Sequence, residues 1–190
     1  MKTQVASAVS TAGCLIAGLT GVQAIDQLDL GPIKVKLMRE DGENWSLEQV
    51  NMAEKWYKRF LFLNLMHPSL SIVPTKVIDT FWHYHILDTM KYAKDCQNVF
   101  GYFLHHFPYF GMRGDEDAKN LDDAFANTKD LFHREFGEPI SELRKVFAFA
   151  ESEVSADCEG TECGGTACGS SNCDGKISGI DFHTRPVFLQ

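Results

Sequence analysis

The chain has 190 residues, 44% of them hydrophobic and 23% charged, which fits one globular domain and excludes a wholly disordered chain. Its net charge of -8 argues against bulk neutralisation of a phosphate backbone, so nucleic acid is not the expected partner. No run of strongly apolar residues is long enough for an integral membrane span.

Residues 1–24 carry one Lys, no acid and many small residues, and end in Val-Gln-Ala. They read as an N-terminal extension or a weak signal-like segment, because Ser, Thr and Gly interrupt the apolar stretch. A cytoplasmic protein is expected, with export through residues 1–24 as the alternative. Residues 25–150 read as a helical core domain. Pro32 suits a first helical turn, followed by Ile33, Val35, Leu37 and Met38. Ser46 and Gln49 have the spacing of a capping box. The helix they open is predicted to run to about Met66, with Val50, Ala53, Trp56, Tyr57, Phe60, Leu61 and Leu65 on its apolar face. Pro74 opens a second long helix, Thr75 to Asp95, with Val77, Ile78, Phe81, Trp82, Leu87 and Met90 as buried surface. A third, aromatic stretch runs from Val99 to His106, and residues 109–115 form a loop. Asn120–Phe136 follows the helical period, stopped by Gly137, and a last short helix restarts at Pro139 and runs to about Ala150.

No sustained alternation demands a strand. The expected fold is all-α, a compact bundle of about five to six helices. Residues 151–179 form a Gly-, Ser- and Cys-rich tail with too little apolar surface for a core, expected to be disordered or loosely structured. Residues 180–190 regain apolar character and could dock back or bind a partner.

Two residue classes are unevenly placed. Four of seven His lie between His83 and His106, and four of six Cys between Cys158 and Cys173. On a helix Asp79 and His83 are four apart and share a face, while His85 points well round from His83. Asp79 either orients His83 within a buried hydrogen-bond network or ligates a metal beside it. His105 or His106 joins them if the flanking helices pack antiparallel, as a short linker around residues 95–98 suggests, and His133 is a further candidate. Nitrogen and carboxylate ligands from several helices can build a divalent site for Zn or Fe. The metal set is then Asp79, His83, His105 and His106, with Trp82, His85, Asp88, Tyr92 and Asp95 as supporting or relay groups. If the protein is an enzyme, a metal-activated water or oxygen performs the chemistry, and His85 with Asp88 moves protons.

Cys158, Cys163, Cys168 and Cys173 are spaced five apart, unlike the closer pairs of zinc knuckles. They could hold a soft metal, form two disulfides or stay reduced. Cys96 reads as a small buried residue. Arg113-Gly114-Asp115 is explained by a turn rather than by adhesion.

The segment Val77–Thr89, with its Asp-x-x-Trp-His-x-His order, followed by Tyr92 and Asp95-Cys96, resembles the glycine-rich domain-containing-protein-like family. Phe103–Gly111 resembles its bacterial branch, and the Cys-Gly tail its Gly- and Cys-rich ends. The resemblance implies a common role for Asp79, Trp82, His83, His85, Tyr92, Asp95 and Cys96, architectural or chemical. Plant relatives carry RNA-binding segments, a property this acidic chain does not match. Two functions are compatible with these readings. One is a helical protein with a His/Asp metal or cofactor site in its core. The other is a non-catalytic binding or scaffold module, with a structural Asp/Trp/His cluster and a Cys tail that takes a protein or small-molecule partner or a soft metal.

Overall fold

A computed structural model describes residues 20–147 and, beyond them, three short strands at Ala167–Cys168, Lys176–Ile177 and Ile180–Asp181. The described residues are mostly helical, as expected. The helices are α1 (20–26), α2 (Gly31–Leu37), α3 (Leu47–Met66), α4 (Lys76–Leu87), α5 (Thr89–Phe100), α6 (Asp115–Phe136) and α7 (Glu142–Phe147).

Helix α3 is the central element, packing against α2, α4, α6 and α7. Its start follows the predicted capping box: Ser46 Oγ accepts from the Gln49 backbone N–H at 3.2 Å, and the Gln49 side chain accepts from the Ser46 N–H at 2.8 Å. Its inward face buries Val50, Ala53, Trp56, Tyr57, Phe60 and Leu61. Against it pack Phe81 and Trp82 of α4, Tyr92 and Val99 of α5, Phe132 of α6 and Leu143 of α7. Large rings fill most of this space, so the core relies on tilted and edge-on aromatic pairs such as Tyr57–Phe81 at 5.1 Å and Phe60–Trp82 at 5.2 Å. A smaller core joins Val73, Phe107, Phe110 and Leu121.

Several element bounds differ from the sequence expectation. The long helix over 75–95 is two helices, broken at Asp88. Asp88 leaves helical geometry at ψ 70, ending α4, and its carboxylate caps α5 by accepting from the Lys91 N–H at 3.4 Å. The break interrupts the helical phase, so Leu87 and Met90 on either side of it, expected to be buried, are 75% and 87% exposed. Residues 95–98, read as a linker, lie inside α5. The aromatic stretch from Val99 is helical only to Phe100, because Gly101 adopts φ 76 and reverses the chain. Helix α6 begins at Asp115, earlier than expected, and Gly137 ends it as predicted. In α2, Ile33 and Leu37 are buried, whereas Val35 and Met38 face outward. Cys96 is buried with a free thiol, as expected. Arg113 is held by Asp117 and lies over the Phe107 ring, a local role that accounts for it without adhesion.

Among the described residues the β structure is minimal: β1 (His106–Phe107), β2 (Ala167–Cys168), β3 (Lys176–Ile177) and β4 (Ile180–Asp181). Strand β1 pairs antiparallel with β2, and β3 with β4. The signal-like segment to residue 19 and the side chains of Cys158, Cys163, Cys168 and Cys173 lie outside the described residues.

Candidate metal centre

Two polar clusters share helix α4. The first contains Asp79 and His83, one turn apart on one face, with His83 Nε2 3.7 Å from Asp79 Oδ2. His106 reaches them from β1. Gly101 turns the chain back after α5, and Leu104 is pinned by burial and by the Tyr92 hydroxyl, which donates to its carbonyl at 2.6 Å. Phe107 then anchors the other side of His106 in the small core. These anchors carry the His106 ring over Trp82, with centroids 4.6 Å apart.

His106 Nε2 lies 3.1 Å from Asp79 Oδ1 and 2.8 Å from His83 Nε2. One ligand atom from each of Asp79, His83 and His106 falls within 4.8 Å of the others. Asp79 and His106 side chains are each 11% exposed, while His83 is 49% exposed. The triad is therefore a shallow site, with a protected floor and one rim residue open to solvent. His106 Nε2 is thus within hydrogen-bond distance of both the Asp79 carboxylate and the His83 ring nitrogen. A cation between the three atoms uses all their lone pairs at once. Ligands on a tetrahedral zinc, at about 2.0–2.1 Å, stand about 3.3 Å apart. Loading thus requires the His83 and His106 nitrogens to separate by about half an ångström, which the exposed His83 side chain can supply.

His105, which the sequence places in the same set, is exposed and packs on Phe103 at 4.9 Å between ring centroids. The chain alternates sides here, so only His106 enters the triad. His133 is exposed on α6 and lies outside the triad.

The second cluster is buried. His85 is 1% exposed, with Nδ1 2.8 Å from the Tyr57 hydroxyl and Nε2 3.0 Å from Asp95 Oδ2. Lys91 Nζ donates to the same Asp95 oxygen at 2.7 Å. Asp95 accepts only, so His85 Nε2 carries the proton and Nδ1 accepts from Tyr57. Burial holds the His85 imidazole below its ordinary pKa, against the opposing pull of Asp95. Asp88, paired with His85 in the sequence reading, is instead the cap between α4 and α5. Tyr57 and Lys91 complete this cluster from outside the Asp-x-x-Trp-His-x-His motif. The available signal was that a Tyr on an otherwise apolar helix face needs a partner for its hydroxyl.

Trp82 stands between the clusters. Its Nε1–H donates to the Tyr92 hydroxyl at 2.9 Å while its ring supports His106. Burial raises the Tyr92 hydroxyl far above its ordinary pKa and also raises the neighbouring Cys96 thiol. Both remain protonated and act as structural groups.

This shared-helix arrangement, a helical domain with an Asp/His/His cluster at its surface, defines the class of protein. A model of the UCP032817-like family matches residues 21–128, more than half of the chain, and the chain belongs to that uncharacterised family. The match covers both His segments and corrects the resemblance to the glycine-rich domain-containing-protein-like family. The motif order that suggested that resemblance is accounted for by local duties: Asp79 and His83 on one face, Trp82 and His85 in the core, and Tyr92 pinning Leu104. No curated protein and no solved structure matches the chain. No described helix is long and apolar enough to cross a membrane.

Proposed function

We propose that the helical domain is a metal-binding module in which Asp79, His83 and His106 hold one divalent cation, zinc or iron. The observation that carries this reading is the convergence of three ligand atoms, from α4 and β1, within 4.8 Å. Two imidazoles and a carboxylate suit either ion, and the solvent-facing side at His83 leaves room for a further ligand or water. Trp82 and Phe107 fix the approach of His106, so the site is largely formed before the metal arrives. A water bound there would be acidified by the cation.

Elemental analysis of the untagged protein, with calorimetric titration of zinc and iron(II), tests it. One equivalent is expected for the wild type and none for His83→Ala or His106→Ala. Metal uptake undiminished in both variants would overturn the proposal.

A second reading is favoured by one distance. The 2.8 Å separation of the two imidazole nitrogens is hydrogen-bonding geometry as it stands. The triad would then fasten β1 to α4 in a non-catalytic binding module whose Cys tail recruits a protein or small-molecule partner. On that reading His83→Ala lowers thermal stability equally with chelator and with metal.

A further inference from the structure

A cleft of about 270 Å³ opens between α1, α3 and the end of α6, and none of its lining residues belongs to either polar cluster. Val22 and Ile25 of α1, Phe62 of α3 and Phe136 of α6 make its apolar walls. Three cations of α3, Lys55, Lys58 and Arg59, line it at spacings that share one helix face. Asp26 lines it too, and its backbone carbonyl accepts from Lys58 Nζ at 3.2 Å. Glu54 lies 3.4 Å from Lys58 but is matched by Lys34 at 2.7 Å. With Glu138, described next, three acids face the four cations Lys34, Lys55, Lys58 and Arg59, so the cleft keeps a positive charge within an acidic chain.

The Arg59 guanidinium is held in place before any ligand arrives. Its Cζ lies 4.9 Å from the Trp56 ring centroid and 4.8 Å from that of Phe136, and its side chain is 16% exposed. Two rings against one guanidinium restrict it and leave its N–H edge for an anion. Glu138 shows what that edge takes. Its carboxylate accepts from Arg59 Nη1 and Nη2 at 3.0 Å each, and from Lys55 Nζ at 2.9 Å. The Arg59 bonds, then those of Lys55, hold the Glu138 carboxyl down to about 2. Glu138 follows the α6 stop at Gly137 and is 41% exposed, so this carboxylate sits at the rim, where another acid group can exchange with it.

We propose that the cleft binds a small organic anion, a carboxylate on an apolar body. The acid group takes the Arg59/Lys55 fork in place of Glu138, with Lys58 beside it. The body lies on Val22, Ile25, Phe62 and Phe136. The volume suits a short chain or a single ring. Glu138 is then a built-in competitor that keeps the fork paired while the cleft is empty.

The test is calorimetric titration of the full-length protein with octanoate, phenylacetate, acetate and 1-octanol. Prior dialysis against chelator ensures that no metal at the triad takes the carboxylate. One equivalent of octanoate or phenylacetate is expected to bind, the tighter of the two reporting a chain or a ring. Acetate, lacking the body, and 1-octanol, lacking the charge, should each bind at least about tenfold more weakly. Glu138→Gln should tighten the acid by at least about threefold, because the competing charge is gone. Arg59→Met and Lys58→Met should each weaken it by at least about tenfold, and Lys58→Met carries the test if Arg59→Met fails to fold. No binding of either acid to the wild type or to Glu138→Gln overturns the proposal. So does 1-octanol binding as tightly as octanoate, or an octanoate affinity unchanged in both Lys58→Met and Glu138→Gln. The metal triad is tested separately by its own variants.

Discussion

Two histidines two residues apart on α4 have opposite surroundings. His85 is sealed between Tyr57 and Asp95, with each ring nitrogen matched to one partner. His83 is half exposed and shares one nitrogen contact with His106, itself shared with Asp79. A saturated, buried cluster stabilises a fold, because its groups have nowhere else to bond. An open cluster that brings three ligand atoms within 4.8 Å of one another is suited to taking a cation. The difference between the two histidines is a matter of partners, since the side chain is the same.

The comparison breaks if the buried cluster proves dispensable. His85→Ala is expected to destabilise the domain by about 2–4 kcal/mol, since it leaves the Tyr57 hydroxyl and the Asp95 carboxylate without their imidazole partner. Urea denaturation with chelator present measures it, and a loss under about 0.5 kcal/mol would place His85 with ordinary surface residues.

The next effect belongs to the open cluster. Zinc at about a hundredfold above its dissociation constant should stabilise the wild type by about 2.7 kcal/mol. That corresponds to a melting-temperature rise of about 5–10 °C for a domain of this size. His83→Ala should abolish the rise, while its chelated form melts close to the chelated wild type. A melting temperature indifferent to zinc in the wild type would erase the contrast between the clusters.

Tyr57→Phe probes the buried cluster more gently. It removes the donor to His85 Nδ1 and keeps the ring, so a loss of about 1–2 kcal/mol is expected, smaller than for His85→Ala. The zinc-induced shift should be unchanged, because the Tyr57 hydroxyl bonds His85 of the buried cluster.

The smallest effect lies outside both clusters and provides a baseline for pH. Burial raises the Asp117 carboxyl, but bonds from Arg113 and from the Gly111 and Arg113 backbone N–H groups outweigh it and hold its pKa low. A carboxyl lowered in the folded state contributes fully above its unfolded value of about 3.9, and that contribution is lost as pH falls through the lowered folded value. Asp117→Asn should therefore cost about 1 kcal/mol near neutrality, flatten the acid limb of stability and leave zinc binding untouched. Stability curves against pH in chelator check it.

Much of the fold was readable because short-range rules suffice for it. The Ser46–Gln49 box, the Gly137 stop and the apolar face of α3 are set by residues within a turn or two. The break at Asp88 was not readable from the helical period of 75–95, since the same carboxylate suits a continuous helix and a cap. The candidate site divides the same way. Asp79 and His83 share a face by helical spacing alone. The choice of His106 over His105 depends on Gly101 reversing the chain and on Leu104 and Phe107 being buried on either side.

The sequence by itself determined that the chain forms helices, where α3 begins and that Asp79 and His83 lie together, because backbone geometry sets these within a few residues. Only the tertiary structure decided which histidine joins them, that His85 faces inward to Tyr57 and Asp95, and that Cys168 pairs with His106. Those choices rest on packing and strand register between distant segments, which no local pattern encodes.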